Sequence, residues 1–170
     1  MLILIKHLRQ LRFGELMEVY GESVAANGGE FYPNLSANEQ IIQAQQDFYA
    51  YLQKDFFCKE GDLYCIWEED GSYICALRLE QYQDGLLLEA LETRPEYRRK
   101  GYAEKLIRAV QHQYCDQKIY SHISHNNIPS LSVHRKCGFE KILDHARYVD
   151  GSVNAFCGTF LYENHEIANK

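Results

Sequence analysis

The chain has 170 residues and a formal charge of −6, with 46% hydrophobic and 25% charged residues. Such values describe a globular chain long enough to bury a core in one domain, spanning residues 1–170, and exclude general disorder. The acidic balance argues against non-specific binding to nucleic acid or an anionic membrane surface, because both need a positive field.

In chain order, Leu2–Ile5 predicts a first strand, and apolar residues near helical spacing predict a helix from Phe13 to Ala26, which Gly28-Gly29 is expected to end. A second helix is predicted over Ser36–Phe56, capped by Ser36 or Asn38. Three strands follow at Asp62–Trp67, Tyr73–Tyr82 and Leu86–Thr93, joined by short Gly-containing turns as in an antiparallel meander. Then come a helix over Tyr102–Tyr114, a strand at Lys118–Ile123, a short helix at Asn127–Cys137, and strands at Phe139–Val149 and Val153–Tyr162 joined by Asp150-Gly151. This order describes a mixed α/β (α+β) domain with a largely antiparallel sheet. The Met1 end holds too short an apolar run for a signal peptide or a span, and the six cysteines form no CxxC pair, so a reduced cytoplasmic protein without membrane attachment is expected.

The chemistry concentrates in R-P-E-Y-R-R-K-G-Y-A, residues 94–103. Four basic residues gather within seven positions, directly before a Gly that opens a helix. The first backbone N–H groups of a helix lack internal partners and sit at the positive end of the macrodipole, so they attract anions, phosphates above all. Neither G-x-x-x-x-G-K-[ST] nor G-x-G-x-x-G occurs, and a solvated basic patch is the plain alternative.

The wording of two stretches goes further. T-R-P-E-Y-R-R-K-G-Y-A resembles the acetyl-CoA loop of the GNAT N-acetyltransferases, [RQ]-x-x-G-x-[GA], with Arg98, Gly101 and Ala103 on its signature positions and Thr93 replacing the usual Val. N-I-P-S-L-S-V-H-R-K-C-G-F, residues 127–139, resembles that family's second motif at Asn127, Ser130, Lys136, Gly138 and Phe139. The resemblance implies the GNAT fold, with a six- to seven-stranded sheet and about four helices. It also implies acetyl-CoA as co-substrate, no metal, and transfer to a primary amine, on a small molecule or a peptide, by direct attack in a ternary complex. Leu91, Glu92, Thr93, Arg98, Arg99, Lys100, Gly101, Tyr102, Ala103, Asn127 and Ser130 would then hold the coenzyme, with a backbone N–H around Leu91–Thr93 for the oxyanion. Dimers are frequent in such families, so a homodimer is left open.

Where the family often has a Tyr as general acid, this chain has His134, which shares a helix face with Asn127 and Ser130. Glu89, on an inner strand between apolar neighbours, is the candidate base; alternation places it with Leu87, Leu91 and Thr93, and Glu92 on the opposite face. Phe31, Tyr32 and Tyr148 are candidate walls of an acceptor pocket. Glu15, Glu18 and Glu22 read as a solvated stripe, and His122/His125 lack a third ligand for a metal. The alternative to an enzyme is an acetyl-CoA-binding sensor or recruiting module, for which His134 would mark a lost acid.

Overall fold

The computed structural model describes residues 1–164. Its elements are β1 (Leu2–Ile5), α1 (Phe13–Phe31), α2 (Ala37–Lys54), β2 (Leu63–Glu69), β3 (Ser72–Tyr82), β4 (Gly85–Thr93), α3 (Tyr102–Gln113), β5 (Lys118–Ser124), α4 (Ile128–Lys136), β6 (Glu140–Leu143), β7 (Ala146–Arg147), β8 (Val153–Asn154) and β9 (Cys157–Tyr162). Seven strands form one sheet in the order β1-β2-β3-β4-β5-β9-β6, and β7 and β8 make a separate two-stranded ribbon. All neighbours are antiparallel except β4 and β5, which run parallel with α3 as their crossover.

One face of the sheet buries Leu77, Leu79, Leu86, Leu88 and Ile119 against Leu106, Ile107 and Val110 of α3. The other buries Tyr64, Ile66 and Ala76 against Leu16, Val19, Tyr20 and Leu52 of α1 and α2. Side chains alternating along each strand thus feed two apolar layers. Glu39 accepts the Ser36 backbone N–H at 2.9 Å, so a capping box starts α2.

Three expectations need correction. Gly28-Gly29 does not end α1, which continues to Phe31. Gly28 is there for space: a Cβ on it would lie 2.5 Å from the Gln40 carbonyl oxygen of α2. The predicted strand Phe139–Val149 is divided into β6 and β7: after a register irregularity between Lys141 and Leu143 the pairing with β9 stops at Leu143↔Thr159, and β7 pairs with β8 instead. The last predicted strand divides likewise, β8 leaving the main sheet to pair with β7.

Between Ala76 and Arg78 of β3 the partner strand advances three residues, from Glu92 to Glu89. The extra residue is a β-bulge, and Ala90 within it has φ +51°. Bulging reverses the alternation beyond it. Ala76 and Arg78 share a face of β3, so their partners Glu92 and Glu89 share a face of β4, toward α1 and α2. The expected separation of the two carboxylates is therefore wrong, and Leu91 and Thr93 face away from Glu89.

Candidate active site

Pairing of the parallel strands β4 and β5 runs from Gly85↔Lys118 to Leu88↔Ser121. Beyond that point both continue but part, and a cavity of about 370 Å³ occupies the split. A crevice beyond the carboxyl ends of parallel strands is where open α/β sheets bind ligands. Its walls come from Leu88–Glu92 on β4, Ser121–Ser124 on β5, Ser23 of α1, and Asn127, Ser130 and His134 around α4.

The bulge is fixed from behind, since the Tyr20 hydroxyl donates to the Ala90 carbonyl at 2.6 Å. A non-glycine residue at positive φ costs about 1 kcal/mol or more, and such strain gathers at functional sites. Glu89 lies 3.5 Å from the Arg78 guanidinium, which also donates to the Tyr51 hydroxyl at 2.8 Å. Burial raises the Glu89 carboxyl above its ordinary range, Arg78 opposing and Glu80 adding to the shift. Glu92 accepts from the Ser23 hydroxyl at 2.5 Å, and burial raises its pKa too, against that hydrogen bond.

Asn127 caps α4, its Oδ1 accepting the Ser130 N–H at 3.1 Å. His134 is 1% exposed. Its Nδ1 lies 2.8 Å from the Ser130 carbonyl oxygen, which only accepts, so that nitrogen carries the proton. Nε2, 3.2 Å from the Ser121 hydroxyl, is then the acceptor. Burial lowers the His134 pKa, with the Ser130 carbonyl pulling the other way. At neutral pH the ring is uncharged and both nitrogens are engaged. Cys137, at the C-terminal end of α4, is 2% exposed and its thiol is pushed up to about 11, so it is no thiolate nucleophile at neutral pH.

The basic loop lies at the start of α3. Arg99 has φ +61° and Gly101 φ +83°. No atom lies within 4 Å of where a Gly101 Cβ would sit, and no side chain caps the helix. Arg98 donates to the Thr93 carbonyl at 3.0 Å and pairs with Glu22 at 2.7 Å, while Arg94 reaches Glu15, Glu18 and Glu96. The acidic stripe of α1 is thus the loop's partner and not merely a solvated face. Lys100 lies over the Tyr97 ring, the Tyr102 hydroxyl donates to Glu69 at 2.8 Å, and Ala103 packs on the α3 core.

Phe31 and Tyr32 lie away from the cavity, at the far end of α1: Phe31 is 68% exposed and the Tyr32 hydroxyl donates to Asp47. Tyr148 stacks edge-on against His122 at 5.2 Å between ring centroids. Sequence reading weighed His122 only as a metal ligand and missed its place. It lines the cavity, is flanked on its other side by Tyr82 at 5.5 Å, and both its ring nitrogens are buried without a hydrogen-bond partner among the described residues. The same side of the sheet brings in Arg78 and Tyr64, for which the sequence offered no signal beyond their placement on strands.

The Acetyltransferase (GNAT) family model matches residues 30–139. The chain belongs to the GNAT family. It is an acetyltransferase, and its mixed sheet with four α-helices is the GNAT acyltransferase fold. Solved GNAT structures agree over nearly the whole length. A PaiA N-acetyltransferase from Thermoplasma acidophilum, in complex with coenzyme A, superposes with a TM-score of 0.61 at 14% identity, covering 96% of this chain and 99% of that one. An N-acetyltransferase from Staphylococcus aureus Mu50 gives 0.58 at 11% identity, with 96% and 99% covered. A spermidine N-acetyltransferase SpeG chimera from Vibrio cholerae and hSSAT gives 0.57 at 16%, with 99% of each covered. No curated protein matches this GNAT chain. Among the described residues no helix is long and apolar enough to cross a membrane.

Proposed function

We propose that residues 1–170 form one GNAT domain that moves the acetyl group of acetyl-CoA to a primary amine by direct attack in a ternary complex. The observation that carries this reading is the cavity in the β4–β5 split. It gathers two carboxylates of raised pKa, a backbone bulge, and Asn127 and Ser130 of the second coenzyme motif. The loop fits the coenzyme's phosphates: open space at Gly101, an uncapped helix start and Arg98, Arg99 and Lys100 beside it suit a pyrophosphate. Acetyl-CoA supplies an activated thioester; no step in this scheme calls for a metal.

In this scheme the amine enters as an ammonium ion and gives its proton to Glu92 or Glu89. Both carboxylates share the α1/α2 side of β4, and Glu92 also borders the neighbouring cavity. The freed lone pair forms the N–C bond, an N–H of the bulge near Leu91 steadies the oxyanion, and the C–S bond breaks. The leaving thiolate has a pKa of about 8.5, low enough to depart unprotonated, and it then takes up, through solvent, the second proton that the acetylated nitrogen loses as it becomes an amide. His134 therefore acts by holding the Ser121 hydroxyl and the Ser130 backbone carbonyl in the cavity wall, its own nitrogens being occupied. Asn127 and Ser130 border the thioester end of the coenzyme, and Tyr148, with His122, the acceptor side.

Titration calorimetry with acetyl-CoA, coenzyme A and ATP tests the coenzyme, and thiol release with a panel of amines tests the transfer. Saturable binding of both coenzymes, with ATP much weaker, is expected. Gly101→Ala should weaken acetyl-CoA at least about 10-fold, because its Cβ would occupy the open space and its φ favours glycine. Absence of acetyl-CoA binding sinks the proposal, and binding without thiol release for any amine leaves a coenzyme-binding module instead.

A further inference from the structure

Arg98 belongs to the basic loop, yet the protein engages it on two sides. Its Nε–H donates to the Thr93 carbonyl at 3.0 Å, and Nη1 pairs with Glu22 of α1 at 2.7 Å. Each contact borders Glu92. Thr93 follows Glu92 on β4, and Glu22 precedes Ser23, whose hydroxyl donates to the Glu92 carboxylate at 2.5 Å. One guanidinium thus spans the loop that suits a pyrophosphate and the flank of a candidate base. Burial pushes the Glu92 carboxyl up most, the Ser23 hydroxyl and Arg98 draw it down, and Glu22 adds to the rise. Tyr20 of α1, Tyr64 of β2 and Cys75 of β3 also feel its charge. Arg78 shares the neighbouring cavity with it, and Glu89, His122 and His134 the larger one.

We propose that Arg98 couples coenzyme loading to proton transfer: once the pyrophosphate of acetyl-CoA answers its charge, Glu92 binds a proton more tightly and is the stronger base. The inference rests on the transferase reading and adds a positioning residue that links its two sites. The Arg98–Glu22 pair is open to solvent, with side chains 42% and 61% exposed, so it contributes little and yields readily to phosphate oxygens. With the cation answered, burial and Glu22 dominate at Glu92. A base works best when its pKa approaches the working pH, so the loaded protein is the one prepared to deprotonate an ammonium ion. The coupling is reciprocal: a protonated Glu92 holds the coenzyme more tightly by the same factor.

Calorimetric titration with acetyl-CoA from pH 8 to 5, in paired buffers of different ionisation enthalpy, reads Kd and the protons taken up. The unaltered chain is compared with Glu92→Gln, which cancels the coenzyme's own 3′-phosphate and the histidines. At pH 8 Glu92→Gln, neutral like the protonated acid, should bind acetyl-CoA about 5-fold more tightly than the unaltered chain, and the difference should close toward pH 5. Proton uptake should be greater in the unaltered chain by the same linkage. Glu89→Gln should leave both effects in place, and on an Arg98→Gln background the Glu92→Gln comparison should show no difference. Equal affinity and uptake with and without the Glu92 carboxylate, effects that follow Glu89 instead, or a difference that survives Arg98→Gln overturns the coupling and leaves the transferase reading standing. Failure to bind acetyl-CoA at all overturns both.

Discussion

Glu92 is held by one hydroxyl, that of Ser23, and burial is the largest influence on its carboxyl. Burial outweighs both the Ser23 hydroxyl and the charge of Arg98, so the neutral form is favoured and charging works against the fold. Folded-state pKa lies above the unfolded value, near 4.5; the stabilising contribution is thus complete below that pH and is lost as pH rises through the folded value. Glu92→Gln should therefore raise Tm at pH 7, with the gain shrinking toward pH 4.5, and should lower kcat by about 100-fold or more if the carboxylate takes the amine's proton. Melting curves and thiol-release rates across that range check both halves, and unchanged kcat would pass the role to Glu89. The sequence had named both carboxylates but put them on opposite faces. Strict alternation fails here because Ala90 adopts a positive φ that no local pattern announces.

Glycine did different work in two elements. Gly101 was legible, since it stands before a helix in a basic motif. Gly28 was misread as a helix end, because its reason lies across space in Gln40 of α2, twelve positions along the chain. Gly28→Ala would gain helix propensity of about 1 kcal/mol, yet a Cβ 2.5 Å from a backbone oxygen forces α1 and α2 apart. The net expectation is a loss of about 1–2 kcal/mol, seen as a Tm lower by about 5 °C. The contact lies away from the loop before α3, so acetyl-CoA binding should stay the same. A more stable variant would mean that the helices separate without cost.

Across the whole molecule, the sheet carries one buried and one half-buried histidine, one on each side, each held toward its neutral form. His122 faces Tyr82 and Tyr148, and His134 faces Ser121, Ser130 and Phe139. Burial lowers the pKa of both. The unfolded chain, with histidines near 6.5, binds more protons than the folded one just below that pH. Stability should therefore fall as pH drops under about 6.5, each histidine adding a slope of up to about 1.4 kcal/mol per pH unit. Denaturant melts from pH 7.5 to 5 measure this, and His134→Gln or His122→Phe should each flatten the curve. A slope that neither replacement changes would assign the acid sensitivity elsewhere.

The sequence by itself determined the family reading, the order of most elements and the loop before α3, because each rests on neighbours in the chain: periodicity, turn residues and two contiguous motifs. Only the tertiary structure decided where β4 and β5 part, that Glu89 and Glu92 share a face, and that His134 spends both nitrogens on serines. Each of these depends on strand register or on packing between segments far apart in sequence. A single bulged residue or a helix–helix contact changes them while leaving the local pattern as it was.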